Sequence, residues 1–261
     1  MTKKKVTLSI DSKTYEVFKA YCEKNAIVLS KKIEIFIDTG RYLCGEETTL
    51  LQTMEGKLRQ PRPKPPYPTE SGLYGYPTLI NNAETLYRAY LISQGELGLK
   101  RFYCLSGDLV GRRIVEKEVG SKIKDIIPEQ LLDRVNFVRC GGPSGIFVPA
   151  DKFDQNIDGI GAVELYAKNR KIIEGLADSI NFLKNESCGK CVPCREGSYR
   201  IAEQLKRLID TSSLWDRKEI VELILEIAIT ARDSSFCPLG TSIARPVLSA
   251  ITDFRQEVVG E

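Results

Sequence analysis

Histidine is absent from the 261 residues of this chain. Acid–base catalysis by histidine is therefore excluded, and so are zinc, copper and haem sites that use histidine ligands. Cysteine is the remaining residue for a soft metal site, and the chain has eight cysteines. Because no signal-peptide core follows the sequence Met1-Thr-Lys-Lys-Lys5, we expect these cysteines to be metal ligands or buried thiols rather than a disulfide framework.

Long apolar runs and a strong charge imbalance are also absent. No run approaches the roughly eighteen apolar residues of a membrane span. The 38 basic residues nearly balance the 35 acidic ones, so the net charge of +3 does not require nucleic acid or an anionic membrane as a partner. With 42% apolar residues the chain can bury a core. We predict a cytoplasmic protein.

The residue pattern changes along the chain. Five prolines in Gln60–Pro68 exclude regular structure and predict an ordered loop or a linker. A short helix is predicted over 83–94. Between 101 and 166 short β-rich runs alternate, with one helix predicted over Ser121–Ile127 and Ser121 as its cap. The strands are predicted at 102–105, 114–119, 135–139 and 162–166.

Beyond Lys168 the apolar residues recur every three to four positions, as in amphipathic helices. Four such stretches predict a small helical bundle. The fold class is therefore predicted to be α+β with several domains. The four helices are predicted around 172–183, 201–209, 220–228 and 243–258.

The clearest metal motif is Cys188-Gly-Lys-Cys191-Val-Pro-Cys194, in which two residues separate neighbouring cysteines. This loop is compact enough to bind three iron corners of one cubane. Cys237 lies between the third and fourth predicted helices and is the natural fourth ligand, since clusters commonly use a triplet plus a distant cysteine. We predict one [4Fe-4S] cluster on these four cysteines. Structural zinc on the same thiolates and unligated core cysteines are the alternatives.

Residues next to these cysteines also fit a cluster. Gly189 and Gly197 are predicted to permit close backbone approach. Lys190 and Arg195 lie beside a site of net negative charge, where positive neighbours tend to raise the reduction potential, although plain surface charge is the alternative. The other cysteines lack a mutual spacing and are predicted to be buried thiols. They are Cys22, Cys44, Cys104 and Cys140.

The segment Glu186–Gly197 resembles the cluster motif of the NADH-binding flavoprotein subunit of respiratory complex I and of related NAD-linked hydrogenases and formate dehydrogenases. Other segments resemble that subunit in the same order, so the resemblance runs from about Lys32 to the C-terminus. They are Tyr42–Thr48, Glu55–Lys57, Pro63–Pro68, Gly72–Gly75, Pro77–Asn82 with Glu84 and Thr85, and Gly141–Gly145.

The resemblance implies three domains. Residues 1–95 would be a partial flavin-domain-like α/β segment, 96–167 a ubiquitin-like β-grasp domain of the soluble-ligand-binding type, and 168–261 a helical [4Fe-4S] domain. In that family FMN takes a hydride from NADH and passes single electrons to the cluster. The cluster relays them to a partner subunit, so the resemblance implies other redox subunits as partners.

The family's glycine-rich flavin and nucleotide loop has no counterpart here, because Gly40 is the first glycine of the chain. The resemblance therefore implies only half of a flavin and nucleotide pocket, retained for binding, as a structural remnant or as a partner surface. We predict that tightly bound FMN and NADH oxidation are absent. The matching positions are Tyr42, Gly45, Glu46, Glu47, Asn81 and Asn82 near the flavin, and Lys64 and Tyr67 in the nucleotide-facing loop.

Residues 1–38 fit two patterns. A strand over Val6–Ile10 followed by helices over Asp11–Lys24 and Ile27–Ile37 resembles a ribbon-helix-helix DNA-binding module. The segment Ile33–Gly40 also resembles the strand that precedes the Tyr-x-Cys-Gly-Glu-Glu motif of the flavoprotein family. We favour a remnant β-α-β unit, because it keeps the resemblance collinear into Gly45.

Three functions are compatible with these patterns. We predict an electron-transfer iron–sulfur subunit of an NADH-dehydrogenase-like, hydrogenase or formate dehydrogenase complex. An FMN-containing NADH oxidoreductase subunit is the first alternative, and flavin content separates it from the prediction. A redox-responsive DNA-binding regulator is the second, but the chain shows no strong basic stripe beyond Lys3–Lys5 and the Arg and Lys residues within 57–64.

Overall fold

The computed structural model describes Ala20 and residues 41–96, 98–157 and 161–260. The chain forms two compact units, residues 1–97 and 98–261. The described residues have a mixed α/β structure with one five-stranded sheet and nine helices. The predictions for 1–38 concern residues that, apart from Ala20, lie outside the described part and remain predictions.

In the first unit, the described residues form two α-helices separated by an irregular proline-rich segment. Helix α1 (Glu47–Met54) begins where the Glu46 carboxylate accepts a hydrogen bond from a backbone N–H. Helix α2 (Ala83–Ser93) begins where Asn82 does the same, and it confirms the helix predicted over 83–94. Short 3-10 turns lie at Tyr42–Gly45 and Leu73–Gly75.

The proline-rich segment is an ordered loop of this unit. The backbone N–H of Arg62 donates to the Thr48 hydroxyl at 2.9 Å, and its guanidinium donates to the Gly72 carbonyl at 2.9 Å. The Arg62 guanidinium also pairs with Glu55 at 2.8 Å. These contacts tie the loop to α1 and to the turn that follows it.

The second unit contains a mixed sheet with strand order β2-β1-β5-β3-β4. Strands β1 and β5 are parallel, and the other neighbours are antiparallel. Four strands confirm the predicted runs, whereas β4 was not predicted because its four residues follow directly on a glycine-rich turn. The strands are β1 (Lys100–Gly107), β2 (Arg113–Glu118), β3 (Val135–Cys140), β4 (Ile146–Pro149) and β5 (Ala162–Ala167).

Helix α3 (Ile123–Ile126) is shorter than the helix predicted over Ser121–Ile127, and the predicted cap is wrong. The Ser121 hydroxyl donates to the Glu118 carbonyl at 2.8 Å and closes the turn after β2 instead. Ile127 has extended backbone angles because the following Pro128 disfavours the helical conformation.

Three long helices and three short ones follow the sheet. The fourth predicted helix is wrong as a single element, because Phe254 has the non-helical angles φ −127° and ψ 32° and places its ring edge-on against Phe137. None of the described helices is long and apolar enough to span a membrane. The helices are α4 (Ile172–Glu186), α5 (Val192–Asp210), α6 (Leu214–Ser234), α7 (Pro238–Thr241), α8 (Ala244–Asp253) and α9 (Arg255–Val259).

Strand β3 is buried on both faces of the sheet. Val138 belongs to the apolar cluster that includes Ile123 of α3. On the other face Phe137 stacks on Tyr166 with 4.6 Å between ring centroids. A Cβ on Gly175 would lie 3.2 Å from the Phe147 ring, so this glycine lets α4 pack directly on the aromatic face.

A buried charge forms a second link between the sheet and α4. Arg139 of β3 is 7% exposed, and its guanidinium donates to the Ser179 hydroxyl on α4 and to the Glu164 carboxylate on β5. Buried charges need such partners to offset the loss of hydration. The aromatic face and Arg139 together fix α4, whose C-terminal end leads into the cysteine motif.

Candidate metal centre

The first three cysteines lie at the junction of α4 and α5. Cys188 lies in the connection, Cys191 caps α5, and Cys194 lies in the first turn of that helix. Gly189 has φ +75°, a left-handed conformation that a side chain would strain. This glycine therefore sets the turn between the first two cysteines.

Cys237 reaches the same site from the junction of α6 and α7. Its sulfur accepts hydrogen bonds from the backbone N–H groups of Leu239 and Gly240, which partly offset the rise in its pKa that burial causes. Its sulfur also interacts electrostatically with those of Cys188 and Cys191. The structure thus brings the fourth predicted ligand close to the triplet.

The buried thiols of Cys194 and Cys237 hold their protons more strongly than an exposed cysteine does. Burial is the main reason that the pKa of Cys194 is raised to about 11, while its hydrogen bond with Ser187 lowers it and the sulfurs of Cys191, Cys237 and Cys188 raise it. Metal binding would have to displace these protons.

Close packing at this site requires glycine at position 240. A Cβ on Gly240 would lie 2.9 Å from the Cβ of Cys194 and 2.5 Å from the Cβ of Ser235. Gly197 is less restrictive, since its Cβ would meet Ala231 at an ordinary 3.5 Å on the side facing α6. Sequence reasoning named Gly197 and missed Gly240, for which the only signal was the Pro-Leu-Gly sequence after Cys237.

Two hydroxyl groups that sequence reasoning missed lie beside Cys194. The Ser187 oxygen is 3.3 Å from the Cys194 sulfur and accepts a hydrogen bond from the Gly189 N–H at 3.3 Å. The Ser235 oxygen is buried and has no hydrogen-bond partner within the described part of the chain. No spacing rule singles out isolated serines, because their role depends on contacts through space.

The two basic residues predicted beside the site have different surroundings. The Lys190 ammonium lies 4.8 Å from the centroid of the Phe236 ring, next to Cys237. Arg195 donates to the Gly189 carbonyl at 2.7 Å and pairs with Glu196 at 3.0 Å. The charge of Arg195 is therefore partly neutralised, and its main contact closes the cysteine loop.

The donor set fits an iron–sulfur cluster. All four predicted ligands are free cysteines, with Cys194 and Cys237 buried and Cys188 and Cys191 half-buried. Thiolates are the usual ligands of such clusters. Among the described residues, no group of three or more cysteine, aspartate or glutamate side chains is arranged to hold a single metal ion.

The predicted flavin and nucleotide residues come together only in part. The Lys64 ammonium contacts Glu47 at 2.6 Å and Glu46 at 3.3 Å. Burial would raise the pKa of Glu46, but hydrogen bonds from Thr48 and Thr49 outweigh it and hold the pKa below its ordinary value. These residues form an internal network around the start of α1.

The other members of that set have local roles. Tyr42 and Gly45 lie in the 3-10 turn before α1, and Asn82 caps α2 directly after Asn81. The backbone N–H of Tyr67 donates to Glu70, and the Tyr67 side chain is 53% exposed. A role of these residues in flavin binding remains a prediction.

The remaining cysteines differ in exposure. Cys44 and Cys140 are buried as predicted, and burial raises the pKa of Cys140 to about 12. Cys104 is exposed, so the prediction was wrong for this residue. Its neighbours Tyr103 and Leu105 on β1 face the core, and strand alternation turns Cys104 to the opposite side. Cys22 lies outside the described residues.

Two family models match this chain. The model described as the NADH-ubiquinone oxidoreductase-F iron-sulfur binding region matches residues 174–260, which contain all four cysteines of the site. The model described as the Nuo51 FMN-binding domain matches residues 1–91.

Curated relatives and solved structures agree with these matches. The NADH-quinone oxidoreductase F subunit of Mycobacterium bovis is 32% identical over 252 residues, which cover 87% of this chain and 56% of the relative. NADH dehydrogenase (ubiquinone) flavoprotein 1, mitochondrial, of Dictyostelium discoideum is 30% identical, with 90% and 55% covered. A crystal structure of an NAD+-reducing NiFe hydrogenase in the H2-reduced state has a TM-score of 0.82 and 28% identity, with 95% of this chain and 46% of that chain covered.

The fold and the match to the iron-sulfur binding region place residues 174–260 in the class of iron–sulfur domains found in such subunits. The chain belongs to the family of the NADH-quinone oxidoreductase F subunits, as its motifs indicated, and its fold is similar to a chain of an NAD+-reducing hydrogenase. The chain spans about half the length of the relatives it matches. The predicted iron–sulfur cofactor is confirmed at the level of the binding region.

Proposed function

We propose that this chain is an electron-transfer iron–sulfur subunit of a complex I-like, hydrogenase or formate dehydrogenase complex. In this proposal Cys188, Cys191, Cys194 and Cys237 hold one [4Fe-4S] cluster, which when bound accepts and donates single electrons. The observation that carries the proposal is that Cys237, more than forty residues from the triplet in sequence, precedes a segment whose Gly240 packs directly against Cys194, and that its sulfur interacts electrostatically with those of the triplet.

The burial of the four thiols supports a relay function. Cys194 is 3% exposed and Cys237 is 8% exposed, so this side of the ligand set is shielded from water. Cys188 and Cys191 are half-buried in the connection between α4 and α5. A site that is closed on one side and accessible on the other protects its ligands and still allows a redox partner to approach.

A comparison of cysteine variants tests the ligand assignment. Cys237→Ser should lower the iron content of anaerobically prepared protein and weaken the EPR signal of the reduced state, because one ligand is lost. Cys104→Ser on the exposed side of β1 and Cys140→Ser in the buried core serve as controls and should keep both. Full iron content and an unchanged EPR signal in Cys237→Ser would remove Cys237 from the ligand set.

We also infer that residues 96–167 form a β-grasp domain and residues 168–261 the cluster domain. The strand order with parallel β1 and β5 at neighbouring positions supports the first assignment. The position of all four cysteines at helix junctions supports the second. Limited proteolysis should cleave near residue 97 before it cleaves within 98–157, and the reverse order would count against these boundaries.

The match of residues 1–91 to an FMN-binding domain favours a second candidate, an FMN-containing NADH oxidoreductase subunit. One observation weighs against it, because Lys64 of the predicted nucleotide-facing loop is engaged by Glu46 and Glu47. The DNA-binding regulator depends on residues outside the described part and remains a prediction.

Flavin content decides between these two candidates. We expect the isolated chain to lack tightly bound FMN and to show no NADH oxidation. Fluorescence of the acid-released supernatant and an NADH–dye reductase assay measure both properties. Near-stoichiometric flavin together with turnover would favour the NADH oxidoreductase.

A further inference from the structure

The Ser235 hydroxyl is a buried polar group without a hydrogen-bond partner in the described part of the chain. Ser235 directly follows α6, and its backbone N–H is already used to close that helix on the Ala231 carbonyl. A buried hydroxyl that makes no hydrogen bond has lost its hydration without compensation. Its place beside the cysteine site therefore calls for a physical explanation.

The hydroxyl borders the same small space as a cysteine ligand. The position of a Cβ added to Gly240 would be 2.5 Å from the Ser235 oxygen and 2.9 Å from the Cys194 Cβ. Only glycine fits at this position, so the Ser235 hydroxyl packs close to the Cys194 side chain. An acceptor bound to the Cys194 sulfur would therefore lie near a hydroxyl proton that no described residue uses.

Ser187 shows how a hydroxyl serves this site. Its oxygen accepts from the Gly189 N–H, so its own proton is available to the Cys194 sulfur 3.3 Å away. Once Cys194 is a thiolate it can only accept, and the Ser187 hydroxyl becomes the donor. Cys237 similarly accepts from backbone N–H groups of Leu239 and Gly240. Ser235 is a further hydroxyl donor beside the cysteine site, and it has no acceptor among the described residues.

We propose that the Ser235 hydroxyl donates a hydrogen bond to a sulfur atom of the cluster or of its Cys194 ligand, and that this bond raises the reduction potential of the site. The inference rests on the proposed function. Reduction adds one negative charge to the sulfur-rich group, and a donor therefore stabilises the reduced state more than the oxidised state.

A matched pair of variants isolates the hydroxyl. Ser235→Thr keeps it, whereas Ser235→Val has nearly the same shape without it, so both share any change in packing. We expect Ser235→Thr to retain the wild-type potential. At the midpoint potential of the wild-type cluster, the ratio of reduced to oxidised cluster in Ser235→Val should be about tenfold lower than in the wild type. This ratio corresponds to a midpoint potential that is lower by about 59 mV for one electron. An EPR-monitored redox titration measures the ratio.

Two further measurements show whether the Ser235 hydroxyl acts as a hydrogen-bond donor or only contributes to packing. Ser242→Ala removes a nearby hydroxyl that donates to the Leu239 carbonyl, and it should leave the potential unchanged. Besides the exchangeable protons of Ser187 and of the backbone N–H donors, pulsed EPR should detect one further exchangeable proton coupled to the reduced cluster in the wild type and in Ser235→Thr, and this additional coupling should be lost in Ser235→Val.

Equal potentials and equal proton couplings in the Thr and Val variants would overturn the inference while leaving the cluster assignment intact. Equal loss of the cluster from both variants, with no exchangeable coupling in the wild type beyond those of Ser187 and the backbone N–H donors, would also overturn it. Failure of the proposed function is distinguishable, because the wild-type protein would then contain no iron or sulfide to titrate.

Discussion

At the scale of single residues, Gly240 sets the distance between the Cys237 segment and Cys194. A methyl group at this position would lie 2.9 Å from the Cβ of Cys194 and 2.5 Å from the Cβ of Ser235, which are distances that require a shift of the backbone. We predict that Gly240→Ala destabilises the second unit by about 1 to 3 kcal/mol and lowers cluster occupancy. Thermal unfolding and iron content measure the two effects.

Gly111 provides the control for that substitution. A Cβ at Gly111 would meet nothing within 4 Å, so Gly111→Ala should leave unfolding and iron content at wild-type values. A Gly240→Ala protein with the wild-type melting temperature and full iron content would show that the site tolerates the methyl group, contrary to the packing described above.

Among the described carboxylates of the first unit, Glu55 has the most strongly shifted pKa. Its side chain is 4% exposed, pairs with Lys57 at 2.7 Å and Arg62 at 2.8 Å, and accepts the Tyr74 N–H at 2.7 Å. Burial would raise its pKa, but the hydrogen bonds with Lys57, Arg62 and Tyr74 outweigh it and lower the pKa to about 2. Tyr74 has φ +52°, and this hydrogen bond helps to hold that strained conformation.

The lowered pKa predicts an acid-dependent loss of stability. The folded state holds the Glu55 carboxylate ionised more strongly than the unfolded chain, so its contribution is complete above about pH 4.5 and is lost as the pH falls toward 2. Glu55→Gln should lower the free energy of opening α1 by about 1 to 3 kcal/mol at pH 6 and reduce its decline toward pH 3. Hydrogen exchange of the α1 amides measures this free energy.

Glu96→Gln at an exposed position should not change that exchange at either pH. If the α1 amides of Glu55→Gln exchanged at the wild-type rate at pH 6, the Glu55 carboxylate would not stabilise the contact between the proline-rich loop and α1. This result would contradict the prediction.

At the scale of elements, Arg139 connects β3 with β5 and α4. Removing one partner of a buried ion pair leaves the other uncompensated, which costs about 3 to 5 kcal/mol. We predict this loss for Arg139→Met, because Glu164 and Ser179 would lose their common partner. Chemical denaturation monitored by circular dichroism measures it.

Arg200→Met is the matched control, since the Arg200–Glu203 pair is exposed on α5 and should contribute at most about 1 kcal/mol. The double variant Arg139→Met with Glu164→Gln should recover part of the lost stability. Equal destabilisation by Arg139→Met and Arg200→Met would mean that the buried pair does not fix α4 against the sheet.

Periodicity predicted most elements, and the misses have local causes. The long helices α4, α5 and α6 carry apolar residues every three to four positions, and four of the strands carry β-rich runs. The four-residue strand β4 is too short for a period to be read. The fourth predicted helix is interrupted by Phe254, whose apolar side chain fits the helical pattern although its backbone is not helical.

Only the residues of the candidate site that belong to a recognisable sequence motif could be predicted from the sequence. Cys188, Cys191 and Cys194 form a motif, and a following proline marked Cys237. Ser187 and Ser235 belong to no such motif. Their proposed roles depend on contacts that only the folded structure creates. Cys104 shows the converse, since apolar neighbours along the chain did not reveal which face of β1 it occupies.

At the scale of the whole molecule, basic and acidic residues are nearly balanced. We therefore expect local groups of charge, rather than the net charge, to guide redox partners. Lys190 and Arg195 lie within the cysteine loop. We predict that Lys190→Glu with Arg195→Glu slows reduction of the cluster by anionic dithionite several-fold and speeds reduction by a cationic viologen radical, since charge steers association. Stopped-flow absorbance at low salt measures both rates.

High salt should reduce the effect of the double variant on both reduction rates, because it screens exposed charges. Arg113→Glu with Lys117→Glu on the exposed strand β2 makes the same change of charge away from the cysteine loop and should have little effect. Identical rates for the double variant and the wild type with both reductants would show that this loop does not steer an approaching partner.

The central claim is that four cysteines of this chain hold one [4Fe-4S] cluster. The most direct measurement is the content of iron, acid-labile sulfide and zinc in full-length wild-type protein prepared anaerobically with ample iron. The account predicts about four iron and about four sulfide per chain. Stoichiometric zinc without sulfide would contradict it and would identify the site as structural zinc.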